Sequence, residues 1–199
     1  MKNLMKFQIL FYDFWKMFIK NDDFQNVNVN NKMEIILVDE SDNQIWFWEK
    51  MDVHKRWLLH RAISILIMNK NWKMLLQQRT LNKYHCGWLW SNATCTHPLP
   101  NENNIDAAHR RLKQEMWFDT ELKEIFKFHY TTHFDNWLTE NEYDHVFLWY
   151  YDGGVFPNPE EAHGYKWIWM EELKKDIKKN SEIYTPRFKI ILEKYFQMK

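Results

Sequence analysis

Apolar residues run in short blocks or alternate with polar ones along most of the chain, and changes in their spacing predict where strands give way to helices. Glu34–Val38 (EIILV) is a compact apolar block and reads as a strand. Ala62–Met68 and Lys73–Gln78 read as two strands around the turn Asn69-Lys70-Asn71. Asn104 can cap a helix running to about Met116, because Ile105, Ala108, Leu112 and Met116 follow the three-to-four spacing of one helix face. Ile125–Phe134 and Val146–Asp152 are Phe- and Tyr-rich strands, the second closed by Gly153-Gly154. Tyr165–Trp169 is a short strand. Met170–Ile177 and Thr185–Met198 read as helices, with Pro186 at an early position that tolerates it. Strands dominate the middle and helices the end, which predicts a compact mixed α/β sandwich. There is no repeat, heptad run or low-complexity tract.

Residues 1–32 depart from this pattern. Met1 to Lys20 is rich in Phe, Leu, Ile and Met, but Lys2, Lys6, Asp13, Lys16 and Lys20 interrupt it. A membrane span needs about 20 mostly apolar residues, so none is expected. No small-residue cleavage site follows, which argues against a secretory signal. Asn21 to Lys32 is polar and Asn-rich and reads as a linker. Residues 1–32 are therefore expected to be an extension, either an extra helix or sequence upstream of a start at Met33. A membrane-surface helix is the other reading, since Lys and aromatic residues occur together. Residues 33–199 are expected to form the one domain, which suits a chain of 199 residues. Lys+Arg 27 balances Asp+Glu 27. That argues against nucleic acid or anionic lipid as the main partner while leaving room for a small basic pocket. Cys86 and Cys95 supply neither a disulfide scaffold nor a paired zinc motif. A reducing cytoplasm is the simplest home.

Four groups of residues can carry chemistry. In Trp90-Ser91-Asn92-Ala93-Thr94-Cys95-Thr96-His97-Pro98, an extended chain puts Cys95 and His97 on one face. An isolated Cys-x-His is ordinarily a buried thiol beside a structural histidine. In Glu140-Asn141-Glu142 the same period places both carboxylates together. Such pairs are usually solvated, but an apolar strand follows and can draw them inward, where they repel unless a cation sits between them. His54 and His60 can meet only through a turn, and each alone is more often structural. Three histidines with two carboxylates would nonetheless make a mixed N/O site for Mn, Mg or Zn. Lys50 falls in the same stretch as His54 and His60, while Arg79, Lys83 and Arg111 carry the charge that a diphosphate needs. Arg111 and Glu115 are four apart on a predicted helix, a spacing that also gives ordinary surface ion pairs.

Read together, these segments resemble type 1 isopentenyl-diphosphate isomerase. The runs that carry the resemblance are Glu49-Lys50-Met51-Asp52-Val53-His54, Leu58-Leu59-His60-Arg61-Ala62 and Leu75-Leu76-Gln77-Gln78-Arg79. They continue with Lys83-Tyr84-His85, Ser91-Asn92 to His97-Pro98, and Leu138-Thr139-Glu140-Asn141-Glu142-Tyr143. The match runs from about Glu34 to Tyr195. The resemblance implies a single Nudix-like α/β/α sandwich on a mixed sheet and the interconversion of isopentenyl and dimethylallyl diphosphate. It implies that Cys95 and Glu142 are the catalytic pair on opposite faces of the substrate, with Tyr130 beside the reacting carbons. It implies one divalent metal (Mn2+, Mg2+ or Zn2+) on His54, His60, His97, Glu140 and Glu142. It further implies a Mg2+ held by Glu115 that bridges to the diphosphate, and phosphate contacts from Lys50, Arg79, Lys83 and Arg111. The expected partner is a small-molecule diphosphate. Many relatives carry Trp where Arg187 stands, and that role stays unassigned.

The chemistry suits these parts. Protonating an unactivated alkene leaves a tertiary carbocation, so one group must give a proton and another on the far face must take one. Electron-rich rings stabilise the cation, and excluding water keeps it from being trapped. A pyrophosphohydrolase is the first alternative. Its box laid on Thr96 to Phe118 puts Arg111 and Gln114 where two metal-binding carboxylates belong, so it is disfavoured. A non-catalytic binding protein of the same fold would be favoured if Cys95 or Glu142 were missing, and both are present.

One composition figure is abnormal: 4 glycines against 12 tryptophans. Average usage near ~7% would give roughly 14 glycines. Relatives commonly carry glycine where this chain has Trp46, Trp57, Trp72, Trp88, Trp117, Trp137 and Trp149, and some do at Trp48. Trp90 and Trp167 match family tryptophans. UGA is stop in the standard code, Trp in some codes and Gly in certain bacterial lineages, so reading UGA as Trp in place of Gly would give this one-way swap. A genuinely Trp-rich lineage is the other explanation. The first reading expects these indoles to be exposed or at glycine-like backbone positions.

Overall fold

The computed structural model describes residues 33–83, 85–134 and 137–198. The expected extension over 1–32 lies outside the described residues. Strand β1 (Glu34–Val38) pairs with β2 (Gln44–Glu49), which leads directly into helix α1 (Lys50–Lys55). The long strands β3 (His60–Met68) and β4 (Lys73–Arg79) follow, then the short β5 (Trp90–Ser91) and β6 (Thr94–Thr96). Helix α2 (Asn104–Met116) precedes β7 (Lys123–His133), β8 (Thr139–Tyr150) and β9 (Ala162–Trp169). The chain closes with α3 (Met170–Lys179), a 3-10 turn (Ser181–Ile183) and α4 (Pro186–Gln197).

Strand β3 organises the sheet. Its run HRAISILIM is β-branched and apolar, the pattern of a strand buried on both faces. It lies parallel to β8, from His60↔Glu142 to Met68↔Tyr150, and antiparallel to β6 through Ser64↔Cys95. Strand β7 extends the sheet beyond β8, and β9 pairs with β4. Ile63, Ile65 and Ile67 pack against Ala107, Ala108, Leu112 and Met116 of α2. Leu66, Phe128, Val146 and Leu148 face Leu173 of α3 and Phe188, Ile191 and Leu192 of α4 on the other side. The result is a mixed sheet between helices, as expected.

Some boundaries differ from the sequence reading. Strand β8 starts at Thr139, so Glu140 and Glu142 lie within a strand. The cap of α2 is Asn103, whose Oδ1 accepts the Asp106 N–H at 2.9 Å, one residue before the expected Asn104. Strand β2 and helix α1 escaped the pattern, because QIWFWE has no alternation to read and six residues are too few for a helical period.

Eight non-glycine residues among those described have positive φ, and five are tryptophans: Trp57 (60°), Trp72 (58°), Trp88 (71°), Trp117 (54°) and Trp137 (63°). No glycine has positive φ. A side chain in this left-handed region costs roughly 1–2 kcal/mol per residue.

Candidate active site

In-register neighbours on adjacent strands share a face, and here they gather the chemistry. His60, Ala62 and Ser64 alternate along β3. Glu142 stands beside His60 on one flank and Cys95 beside Ser64 on the other. Tyr130 of β7 pairs with Glu142. Cys95 and Glu142 thus flank β3 on the face that α4 covers, and α4 lays Arg187 over them. His97 continues the face past β6, as the Cys-x-His spacing predicts. Its Nε2 lies 3.1 Å from Glu142 Oε1.

The two carboxylates are clamped from both sides. Tyr130 Oη lies 2.6 Å from Glu142 Oε2 and 2.9 Å from Glu140 Oε2. Arg187 Nη2 donates to the opposite oxygens, 2.6 Å from Glu140 Oε1 and 3.0 Å from Glu142 Oε1. All four residues are buried. Burial pushes the Glu142 carboxyl up, but Arg187, His60 and His97 outweigh it and hold it well below its usual value. Burial drives the Tyr130 hydroxyl well above its usual value, although Arg187 opposes this.

His54, His60, His97 and Glu142 each offer a ligand atom, and these atoms lie within 4.8 Å of one another. The donor set fits a divalent ion. His54 Nδ1 bonds the Lys50 carbonyl at 2.7 Å, and His60 Nδ1 bonds the Leu58 carbonyl at 2.8 Å. A ring that donates through Nδ1 leaves its Nε2 lone pair for a metal. Burial, aided by His60, lowers the His54 pKa to about 4, and burial lowers His97 well below its usual value. Neutral imidazole is the form that ligates. The turn expected to bring His54 and His60 together is Arg56 to Leu59, between α1 and β3. Glu140 stands apart from this group, held by Arg187, Tyr130 and His85, whose Nε2 is 3.4 Å from Glu140 Oε1.

Cys95 Sγ donates to Asn92 Oδ1 at 3.2 Å and lies 3.6 Å from Ser64 Oγ, which donates to Asp144 Oδ2 at 2.8 Å. Burial raises the thiol pKa and keeps it protonated at neutral pH. Burial also raises Asp144 to about 8. Asn92 lies in the Ser91-Asn92 run that carries the resemblance but had no assigned role, and Ser64 and Asp144 carried no sequence signal, becoming relevant only when β3, β6 and β8 were aligned. Arg79, Cys86, Cys95, Phe134, Glu140 and Arg187 line a cleft over this face.

The cationic residues form the other half of the site. Arg111 pairs with Glu115 at 2.5 Å, as the i, i+4 spacing predicts, and with Glu161 at 2.8 Å. Lys83 also pairs with Glu161. Arg79 donates to the carbonyls of His85 and Cys86, both at 3.2 Å, which fixes the loop bearing Cys86. Burial, then Arg111 and Arg187, lower the Lys50 pKa to about 8, with Glu142 opposing. Cations crowded this closely favour an anion among them. Glu115 is buried and also accepts from Gln77 Nε2 at 2.8 Å. Glu161, which joins Lys83 to Arg111, had no sequence signal.

The NUDIX domain family model matches residues 58–188. Isopentenyl-diphosphate Delta-isomerase 2 of Aromatoleum aromaticum is 49% identical over 152 residues, covering 76% of this chain and 80% of that protein. Isopentenyl-diphosphate Delta-isomerase of Serratia proteamaculans is 40% identical over 159 residues, covering 80% of this chain and 89% of that protein. Among solved structures, DR0079 from Deinococcus radiodurans superposes with a TM-score of 0.62 at 16% identity, covering 74% of this chain and 90% of that one. The MutT protein from Methanosarcina mazei Go1 gives 0.58 at 17% identity, covering 70% and 94%. The two structures bear on the fold alone.

Proposed function

We infer a mechanism from one premise: the chain belongs to the NUDIX domain family and, within it, to the isopentenyl-diphosphate Delta-isomerases. The reaction is the interconversion of isopentenyl and dimethylallyl diphosphate. What carries the residue assignment is the convergence of Cys95, Tyr130 and Glu142 on one buried sheet face under α4, beside a crowd of cations.

Lys50, Arg79, Lys83 and Arg111 hold the diphosphate at the mouth, with Glu115 as the carboxylate available to a Mg2+ on the phosphates. The isoprenoid tail extends into the cleft between Cys95 and Glu142. One of these groups gives a proton to the alkene and the other takes one from the neighbouring carbon, and they exchange roles in the reverse reaction. Tyr130 serves the carboxylate side. Its hydroxyl has one proton and two carboxylate neighbours, so it donates to one at a time and can pass a proton toward Glu142. Asn92 and Ser64 orient the Cys95 thiol. Phe134 and the closing α4 keep water from a carbocation. His54, His60, His97 and Glu142 would hold a divalent ion (Mn2+, Mg2+ or Zn2+), which when bound fixes the Glu142 carboxylate and balances its charge. A reducing cytoplasm fits this reading, because Cys95 must remain a thiol to move protons. The described residues include no helix long and apolar enough to cross a membrane.

Incubating the purified protein with isopentenyl diphosphate and Mg2+ should yield dimethylallyl diphosphate and no released phosphate. Cys95→Ala and Glu142→Gln should each abolish the product while the protein stays folded. Near-normal turnover in either variant would overturn the assignment. Phosphate release would instead favour the hydrolase, whose carboxylate cluster is broken here by Arg111 and Gln114.

A further inference from the structure

Five tryptophans stand where the backbone favours glycine. We infer that Trp57, Trp72, Trp88, Trp117 and Trp137 are glycine in the protein its own cell makes, the codon at these positions being decoded as glycine there. Three β-hairpins supply an internal comparison. Each is closed by an N–H of residue i on the carbonyl of i+4: Asp39 on Asn43, Asn69 on Lys73 and Phe134 on Leu138, at 2.9–3.0 Å. In each the residue at i+3 is left-handed: Asp42, Trp72 and Trp137 respectively. This is the bulge position that glycine fills and that Asp or Asn tolerates. Only the first hairpin has a residue suited to it.

The helix ends repeat the pattern. Trp57 follows the last turn of α1, and the Leu58 N–H bonds the Val53 carbonyl at 3.1 Å, the six-to-one bond of a Schellman cap. Trp117 caps α2 at φ 54°, ψ 27°, with its N–H on the Lys113 carbonyl. Trp88 lies inside the turn that the Leu89 N–H closes on the Cys86 carbonyl. All five indoles are exposed, by 47% (Trp88) to 89% (Trp137). Trp90 and Trp167 differ on every count: neither has positive φ, and each packs against a core cluster. A shallow apolar cleft lined by Trp57, His133, Phe134, Trp137 and Leu138 is walled by two of the five indoles, so it would vanish with glycine and marks no docking site. Trp46, Trp48 and Trp149 lie in strands without positive φ, where the backbone accepts either residue.

The gene and the protein give separate tests. UGA codons at the five positions, with UGG at Trp90 and Trp167, are expected. Protein isolated from its own cells should give peptide masses carrying glycine at the five. UGG codons there, or tryptophan in those peptides, would overturn the inference. In a standard host, full chains with tryptophan or glycine at the five positions are compared by thermal unfolding. The glycine chain should melt about 10–40 °C higher, from the cost of the left-handed conformation and the usual shift in midpoint. A tryptophan chain that fails to fold beside a folded glycine chain is the same result at its limit. Trp90→Gly and Trp167→Gly should lower the midpoint. A glycine chain no more stable than the tryptophan chain would count against the inference.

A second observation carries a separate proposal, which rests on the metal reading above: we propose that Arg187 is a positioning residue that competes with the divalent ion for Glu142 Oε1. That oxygen faces His97 Nε2 at 3.1 Å and His60 Nε2 at 3.5 Å, and Arg187 Nη2 reaches it at 3.0 Å. A guanidinium and a metal dication on one oxygen repel each other. Pairing with Glu140 balances the guanidinium inside a cleft where a carbocation must form. Arg187→Met should therefore bind Mn2+ at least ten-fold more tightly than the parent, while the metal-free protein melts lower. A purely structural Arg187 would weaken both. Equal or weaker Mn2+ binding in the variant would refute the competition, and no Mn2+ binding in either chain would refute the metal reading itself.

Discussion

Replacing Tyr130 with Phe removes one oxygen from the centre of the site. The ring should stay, since it packs against Phe128 at 5.5 Å between centroids. What disappears is the donor 2.6 Å from Glu142 Oε2 and 2.9 Å from Glu140 Oε2. Arg187 still serves the Oε1 atoms, so each carboxylate keeps one strong partner. The loss is that of a buried acceptor left without its donor, about 1–3 kcal/mol. At roughly 2–4 °C per kcal/mol for a chain of this size, the midpoint should fall by about 2–12 °C. Activity should fall much further. A positioned proton carrier contributes about 10²–10⁴-fold, so kcat should drop in that range while KM for the diphosphate holds. Thermal unfolding and steady-state isomerisation, measured on the same preparation well below the midpoint, separate the two effects. A variant with near-parental kcat would show that protons reach Glu142 without the hydroxyl. A variant whose activity fell only with its folded fraction would make Tyr130 a packing residue.

Arg79→Ala or Lys83→Ala should raise KM for the diphosphate by about 10–100-fold with a smaller change in kcat, since each removes a charge-assisted contact worth roughly 1.5–3 kcal/mol; an unchanged KM would move that residue out of the site. Stripping divalent ions with a chelator should abolish isomerisation and lower the unfolding midpoint, and adding back Mn2+, Mg2+ and Zn2+ singly should show which ion restores both; full activity in demonstrably metal-free protein would refute the four-ligand site. Asp42 supplies a pH test away from the chemistry. Burial pushes its carboxyl up, but Lys127, Arg61 and His145 outweigh this and hold it below its usual value. A carboxyl depressed by folding stabilises above its unfolded pKa and loses that contribution as pH falls through its folded value. Asp42→Asn should therefore be less stable than the parent at pH 7, with the gap closing below about pH 4; a gap independent of pH would mean that the charge contributes nothing.

The parts of the site legible in the sequence are those whose geometry is local. Cys95 and His97 are two apart on an extended segment, Glu140 and Glu142 two apart on another, and Arg111 and Glu115 four apart on a helix. Spacing alone put each pair together, and the structure keeps all three pairings. Strand register was not legible. It is set by β3 lying parallel to β8 and antiparallel to β6, and it turns separate pairs into one face by standing Glu142 beside His60 and Cys95 beside Ser64. A shift of one residue in either pairing would have sent half the set to the α2 side. The continuous apolar run of β3, buried on both faces, gives no alternation from which that register could be read. Arg187 stood out only as a departure from the Trp that many relatives carry, and its role was not legible for the opposite reason. Its neighbours in sequence are those of an ordinary amphipathic helix, and only the landing of α4 over the Glu140–Glu142 pair gives its charge a purpose. The tryptophans complete the logic from the other side. Propensity and pattern describe what a side chain prefers, whereas φ reports what the backbone requires. Where the two conflict at five exposed turns and none of the four glycines has the left-handed φ those turns impose, the backbone is the better guide to the residue that belongs there.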